Sequence, residues 1–151
     1  MIKKLKNSDI EIAKNIRTVF QLSYKVEAEL LNATDFPPLK RTLTNFINSE
    51  TDFFGYLKDG ELTGVIEIEN NSSFTDIHSL VVHPNFFRQG IAHNLMKFIV
   101  NKFNSNLFIV ETGFENEPAK NLYKKFGFKE IKQWHTEQGI KKVKLELRIN
   151  N

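Results

Sequence analysis

Cysteine is missing altogether from the 151 residues. That absence excludes a disulfide framework, a zinc–thiolate or iron–sulfur site and a cysteine nucleophile. Any covalent chemistry falls to Ser, Thr, Lys, Asp, Glu, His or Tyr. Long apolar runs are missing too: no window approaches the roughly 20 apolar residues that cross a bilayer, so no membrane partner is expected. The opening Met1-Ile2-Lys3-Lys4-Leu5-Lys6 lacks the hydrophobic segment of a secretory signal, and a cytoplasmic location is expected. No charge of one sign dominates. Lys and Arg number 21 against 18 Asp and Glu, and the excess sits in residues 111–151, with nine basic and six acidic side chains. Because acids are interspersed and no basic–aromatic stripe is present, nucleic acid is not an expected partner. The mild excess does favour an anionic ligand. His83, His93 and His135 have no ligand-like spacing, and no metal is assigned.

What is present describes one soluble domain. A chain of 17.6 kDa buries roughly two thirds of its unfolded surface, enough for a single domain over 1–151 to rest on its own core. Most of the 14 phenylalanines fall in apolar runs. Met1–Lys6 reads as a strand. Ser8-Asp9-Ile10-Glu11 predicts a capping box with Ser8 as the cap, ahead of an apolar face of Ala13, Ile16, Val19 and Phe20. A second helical stretch is expected over Tyr24–Leu31, before Asp35-Phe36-Pro37-Pro38, and a short third over Thr42–Asn48.

The period then changes to two. Strands are expected over Phe53–Leu57, Leu62–Glu69 and Phe74–Val82, the last stopped by Pro84. Gly90–Lys102 is an amphipathic helix with Ile91, Leu95, Phe98 and Ile99 inward, and Leu107–Val110 is a buried parallel-type strand. Asn116–Phe126 is a second amphipathic helix ended by Gly127, followed by a hairpin of Phe128–Trp134 and Ile140–Ile149. This order predicts an α/β chain of mixed α+β character. Its centre is one mixed, twisted sheet of about six to seven strands with helices on both faces.

One segment carries a mechanism. Val81-Val82-His83-Pro84-Asn85-Phe86-Phe87-Arg88-Gln89-Gly90-Ile91-Ala92 joins a strand to a helix start. The first turn of a helix presents unpaired N–H groups and the positive end of the dipole. Gly90 takes away a side chain that would hold a ligand off the backbone, Ala92 is nearly as small, and Arg88 adds charge. A phosphate or pyrophosphate is the expected guest. Neither the usual nucleotide-triphosphate loop nor the three-glycine dinucleotide fingerprint is present.

The stretch Phe87-Arg88-Gln89-Gly90-Ile91-Ala92 resembles the cofactor loop of the GCN5-related N-acetyltransferase (GNAT) superfamily, Arg/Gln-x-x-Gly-x-Gly/Ala, with Phe87 in place of the first Arg or Gln. Glu115-Asn116-Glu117-Pro118-Ala119 and Leu122-Tyr123-Lys124-Lys125-Phe126-Gly127-Phe128 resemble its second signature. The resemblance covers about residues 53 to 147 and implies the acyl-CoA N-acyltransferase fold. It also implies acetyl-CoA as cofactor and acetyl transfer to a primary amine of a small molecule or peptide. It puts the amides of Arg88, Gln89, Gly90, Ile91 and Ala92 on the coenzyme A pyrophosphate. The pantetheine arm would lie between splayed strands 74–82 and 107–110, against Val82 main chain and Asn116, with Tyr123 as the acid near the sulfur.

Direct transfer from a thioester needs no enzyme nucleophile, which fits the absence of cysteine. It does need a proton acceptor, because a lysine-like ammonium of pKa about 10.4 costs roughly 4–5 kcal/mol to neutralise at pH 7. Alternation places Asp76, His78, Leu80 and Val82 on one face of their strand, and His78 suits general-base work. Glu67 and Glu69 on the neighbouring strand are its rivals, with a water relay beside them. Tyr24, Phe36, Phe53, Phe54, Phe114 and Trp134 are candidate acceptor-cleft aromatics. The resemblance gives substrate choice to the amino-terminal helices, here residues 20–40, and to the final hairpin. A non-catalytic acyl-CoA sensor would keep the cofactor cleft without a working proton route. A homodimer stays open.

Overall fold

Seven strands form one sheet in the computed structural model, which describes residues 1–149; Asn150 and Asn151, the end of the expected domain, lie outside the described residues. In chain order the strands are β1 (Ile2–Leu5), β2 (Asp52–Lys58), β3 (Glu61–Asn70), β4 (Thr75–Val82), β5 (Leu107–Gly113), β6 (Lys129–His135) and β7 (Lys141–Arg148). They lie in the order β1-β2-β3-β4-β5-β7-β6. Every neighbouring pair is antiparallel except β4 and β5. The helices are α1 (Ile10–Leu30), α2 (Leu43–Asn48), α3 (Ile91–Lys102) and α4 (Glu117–Lys125), with a 3₁₀ turn at Pro37–Lys40. No helix among the described residues is long and apolar enough to cross a membrane.

The sheet is clothed on two faces because its strands alternate. On one face Ile66, Ile68, Ile77 and Val110 pack with Leu95, Met96 and Ile99 of α3. On the other, Phe53, Val65 and Val81 meet Ala13, Ile16, Val19 and Phe20 of α1 and Phe46 of α2. Val143, Leu145 and Leu147 extend the first core under β7.

Two sequence expectations about the first helix need correction. The cap is Asp9, not Ser8: its Oδ1 accepts from the amides of Glu11 and Ile12 at 3.0 and 3.3 Å. The two expected helical stretches are also one 21-residue helix. Gln21-Leu22-Ser23 interrupts the apolar pattern without containing a helix breaker. Ser23 is polar because it faces the sheet's central cleft, where its Oγ accepts from Val82 N–H at 3.4 Å. The helix ends at a left-handed Asn32 (φ 53°), with Ala33 N–H returning to the Ala28 carbonyl, ahead of the proline pair.

A third correction sets the geometry of the site. The β3–β4 register slips between Glu67, opposite Ser79, and Ile68, opposite Ile77, so His78 is the extra residue of a β-bulge. Leu80 and Val82 therefore share the face of Ile77 rather than that of Asp76. Beyond this point β4 and β5 part. Their pairing is confined to Thr75–Ile77 against Phe108–Val110. The rest of β4 and β5 forms the two arms of a V.

Candidate functional site

The V opens into a cavity of about 960 Å³, at the upper end for small-molecule sites. His78, Val82, Arg88, Gly90, Ile91, Ala92, Asn116 and Tyr123 all line it. Gln89, Glu67 and Glu69 do not. Helix α1 spans the mouth of the V. Ser23 reaches β4, and Leu31 packs so closely over β5 that a Cβ on Gly113 would lie 2.6 Å from its side chain.

At one end of the cavity the chain passes from β4 through a 3₁₀ turn at Pro84–Phe86 into α3. Arg88 (φ 62°) and Gly90 (φ 79°) both adopt the left-handed region. Glycine takes this conformation freely, whereas for Arg88 it costs roughly 1 kcal/mol. Nothing lies within 4 Å of where a Gly90 Cβ would stand, so the glycine serves backbone shape and open access. Gly90 caps α3 without a side-chain acceptor, and the first helical bond is Asn94 N–H to the Gly90 carbonyl. Among the described residues, the N–H groups of Arg88, Gln89, Gly90, Ile91, Ala92 and His93 have no protein acceptor. Unpaired amides at the positive end of a helix, in a backbone concavity, suit a phosphate. The Gln89 side chain instead accepts from Lys58 at 2.8 Å.

On the β5 arm stands a polar cluster. Asn116 caps α4, its Oδ1 accepting from Ala119 N–H at 3.3 Å, while its Nδ2 donates to Glu27 Oε1 at 2.8 Å. Thr112 Oγ1 donates to the same oxygen at 3.3 Å. Desolvation raises the Glu27 carboxyl above its usual value; the Asn116 bond, the Lys142 ammonium, the Thr112 bond and the Gly113 amide oppose this without reversing it. Tyr123, 4% exposed, packs its ring against Phe128 with centroids 5.8 Å apart. Burial pushes its hydroxyl far above the ordinary phenol range, and the neighbouring Glu27 carboxylate and Tyr24 hydroxyl add to the effect. Tyr24 is displaced in the same direction, by burial first and Glu27 second.

Beside β4 the chemistry differs. Glu67, 2% exposed, accepts from Arg41 Nη1 and Nη2 at 2.7 and 2.9 Å, from Thr51 Oγ1 at 2.6 Å and from Ser79 Oγ at 3.2 Å. Burial alone would raise its carboxyl; the Arg41 and Thr51 bonds prevail and hold it below the usual range. The Arg41 guanidinium lies 4.1 Å from the Phe46 ring centroid, a stacked, desolvated arrangement suited to a planar cation. His78 Nε2 stands 3.4 Å from Glu69 and 3.7 Å from Asp76, partly exposed. Among the described residues no three His, Asp or Glu side chains are grouped to hold a metal ion.

Of the expected cleft aromatics, Tyr24 and Phe36 line the cavity. Phe53 and Phe54 are core, on opposite faces of the sheet. Phe114 lies between the ammonium groups of Lys120 and Lys141, at 3.9 and 3.8 Å, outside the cavity, as is Trp134. Sequence reasoning missed Glu27 and Arg41. For Glu27 a signal existed: it continues the inward stripe Phe20, Tyr24, Leu31 at helical spacing, a carboxylate where a hydrophobe belongs. For Arg41 there is none, since its partner lies 26 residues away.

The family model described as an acetyltransferase (GNAT) domain matches residues 26–149. The chain is 33% identical over 141 residues to the UPF0157 protein YqkA of Bacillus subtilis (strain 168), covering 93% of this chain and 41% of that protein. It thus spans under half of that relative's length. It is 31% identical over 121 residues to streptothricin acetyltransferase of Escherichia coli, covering 75% of this chain and 68% of that one. The solved structure of the PaiA N-acetyltransferase of Thermoplasma acidophilum, in complex with coenzyme A, has the same fold. Its TM-score is 0.74 at 18% identity, over 99% of this chain and 98% of that one.

Proposed function

The chain belongs to the acetyltransferase (GNAT) domain family, and from that premise we propose that it moves an acetyl group from acetyl-CoA directly to a primary amine. The observation that carries the reading is the run of unpaired amides from Arg88 to His93 at the mouth of the V. Gly90 keeps that backbone approachable and Arg88 adds charge, so the chain's own groups fit a pyrophosphate. On the β4 arm Val82 N–H has only a long bond to Ser23, and it is the main-chain group assigned to the pantetheine arm. Asn116 is its counterpart on the β5 arm.

Bound there, acetyl-CoA supplies an acetyl group activated as a thioester. Tyr123 is assigned to the departing sulfur. Burial keeps its phenol protonated at neutral pH, so the O–H is available to donate as negative charge builds. Of the three proton acceptors expected from sequence, Glu67 is saturated by Arg41, Thr51 and Ser79, and Glu69 stands outside the cavity. His78 alone of the three lines it. The test is amine-dependent release of free coenzyme A thiol across polyamines, amino acids, aminoglycosides, small amines and peptide amino termini. Saturable release with at least one class is expected. Tight acetyl-CoA binding without release from any would favour a sensor.

A further inference from the structure

Glu27 is a half-buried carboxylate for which the fold supplies no cation at contact distance. Among the described residues it has no ion pair within 4 Å, in contrast to Glu67. Both of its side-chain hydrogen bonds end on Oε1, from Asn116 and Thr112, and Oε2 accepts none from a side chain. It lines the cavity beside a largely apolar stretch of Tyr24, Leu30, Leu31, Phe36 and Pro37, with Ser23 and the Glu67-paired Arg41 as the polar side chains on that side. An unpaired carboxylate in such surroundings is costly unless a cation joins it. Tyr123, assigned above to the sulfur, is close enough for Glu27 to perturb its hydroxyl.

We propose that Glu27 receives the ammonium of the acceptor and takes one of its protons, and that the acceptors are primary amines on an apolar or aromatic body. The proposal rests on the acetyl-transfer reading above. The ammonium gives a proton to Glu27, leaving a neutral amine and a carboxylic acid. The nitrogen lone pair then forms a bond to the thioester carbonyl carbon while the C–S bond breaks, its electron pair going to sulfur. The second nitrogen proton reaches sulfur through Tyr123, whose hydroxyl donates one proton and regains one. Glu27 returns its proton to solvent, so the products are an amide, free coenzyme A thiol and one proton in solution.

Burial gives Glu27 the raised proton affinity that such a step uses. The groups facing it are Tyr24 on its own helix, Tyr123 on α4, Lys142 on β7, and Asn116, Thr112 and the Gly113 amide at the end of β5. The phenols carry no charge at neutral pH, and Lys142 is the cation among these groups.

The experiment uses the full chain with phenethylamine as the apolar probe and kanamycin as the polyhydroxylated one. Glu27→Gln keeps an oxygen for Asn116 and Thr112 while removing the charge. It is expected to leave acetyl-CoA affinity within threefold and to lower kcat/KM for phenethylamine at least 100-fold. It should also abolish the acidic limb of the pH profile that belongs to the enzyme. A readout apart from turnover is phenethylamine binding in the presence of coenzyme A, which should weaken at least tenfold. Glu27→Asp, which keeps the charge one methylene back, should lose about tenfold in turnover; it carries the test if the Gln variant misfolds. Glu27→Gln within threefold of wild type, or the same loss appearing in His78→Gln instead, overturns the role of Glu27. Preference of the wild type for kanamycin overturns the substrate class. If the wild type does not bind acetyl-CoA, the acetyl-transfer reading falls and this one with it. If it binds and transfers but Glu27→Gln is unaffected, only this inference falls.

Discussion

Glu67 and Glu27 are the same side chain in two settings, one behind the β4 arm and one in the wall of the cleft, and they meet opposite fates. Beside β4, Glu67 is wrapped by Arg41, Thr51 and Ser79 and held ionised below the usual carboxylate range. Beside β5, Glu27 has only neutral donors in contact, and burial lifts it. The first arrangement braces the sheet against α2 and the segment before it. The second leaves a proton site unspent, open to the cavity. Burial of a carboxylate is therefore uninformative by itself; the partner decides whether it is structure or chemistry.

The most damaging way to break the contrast is Arg41→Ala. It strands Glu67 as an uncompensated buried charge, a loss of about 3–5 kcal/mol for a pair of this kind. Thermal unfolding should show the midpoint falling by roughly 10 °C; a change under 2 °C would mean that water replaces the guanidinium without cost. On the other arm, Tyr123→Phe should spare the fold and strike turnover. Losing the donor lowers kcat about 100-fold, or roughly 2.7 kcal/mol of barrier, with acetyl-CoA affinity within threefold. Equal kcat for the two proteins removes Tyr123 from the proton path.

Gly90→Ala probes the loop that serves both arms. The left-handed backbone costs an alanine about 1–2 kcal/mol, and the Cβ meets no protein atom. Stability should fall by that amount and acetyl-CoA affinity by more than tenfold, both readable in one calorimetric and thermal series.

The subtlest separation is in pH. Glu67, depressed in the fold, contributes stability that is complete above the unfolded carboxyl pKa and disappears as pH falls through its folded value. Glu27, raised in the fold, does the reverse. Its favourable contribution is complete below the unfolded pKa and is lost as pH rises through the folded one. Glu67→Gln should therefore be less stable than wild type at pH 7, with the gap closing in acid. Glu27→Gln should be more stable than wild type at pH 7, with that gap also closing in acid. Urea titrations at several pH values check both signs.

A feature of this fold is legible in the sequence where its determinants are local. The stripe of Leu95 and Ile99 with Gly90 before it was readable, because a helix start and its cap are settled within a turn or two. Asn116 and Tyr123 fell on one cavity for the same reason. The face assigned to Leu80 and Val82 was wrong because an inserted residue leaves no mark in an alternating strand; only the register with β3 exposes the bulge at His78. Ser23 looked like part of a break between helices because a polar residue that serves a cleft resembles one that serves solvent. Arg41 was illegible, since nothing near it in the chain names Glu67.

Calorimetric titration of acetyl-CoA into the full chain tests most directly whether the backbone from Arg88 to His93 is built for a phosphorylated thioester carrier. Saturable one-to-one heat at micromolar ligand, weakened in Gly90→Ala, is the predicted result. No heat at millimolar acetyl-CoA, or unchanged binding by Gly90→Ala, contradicts it.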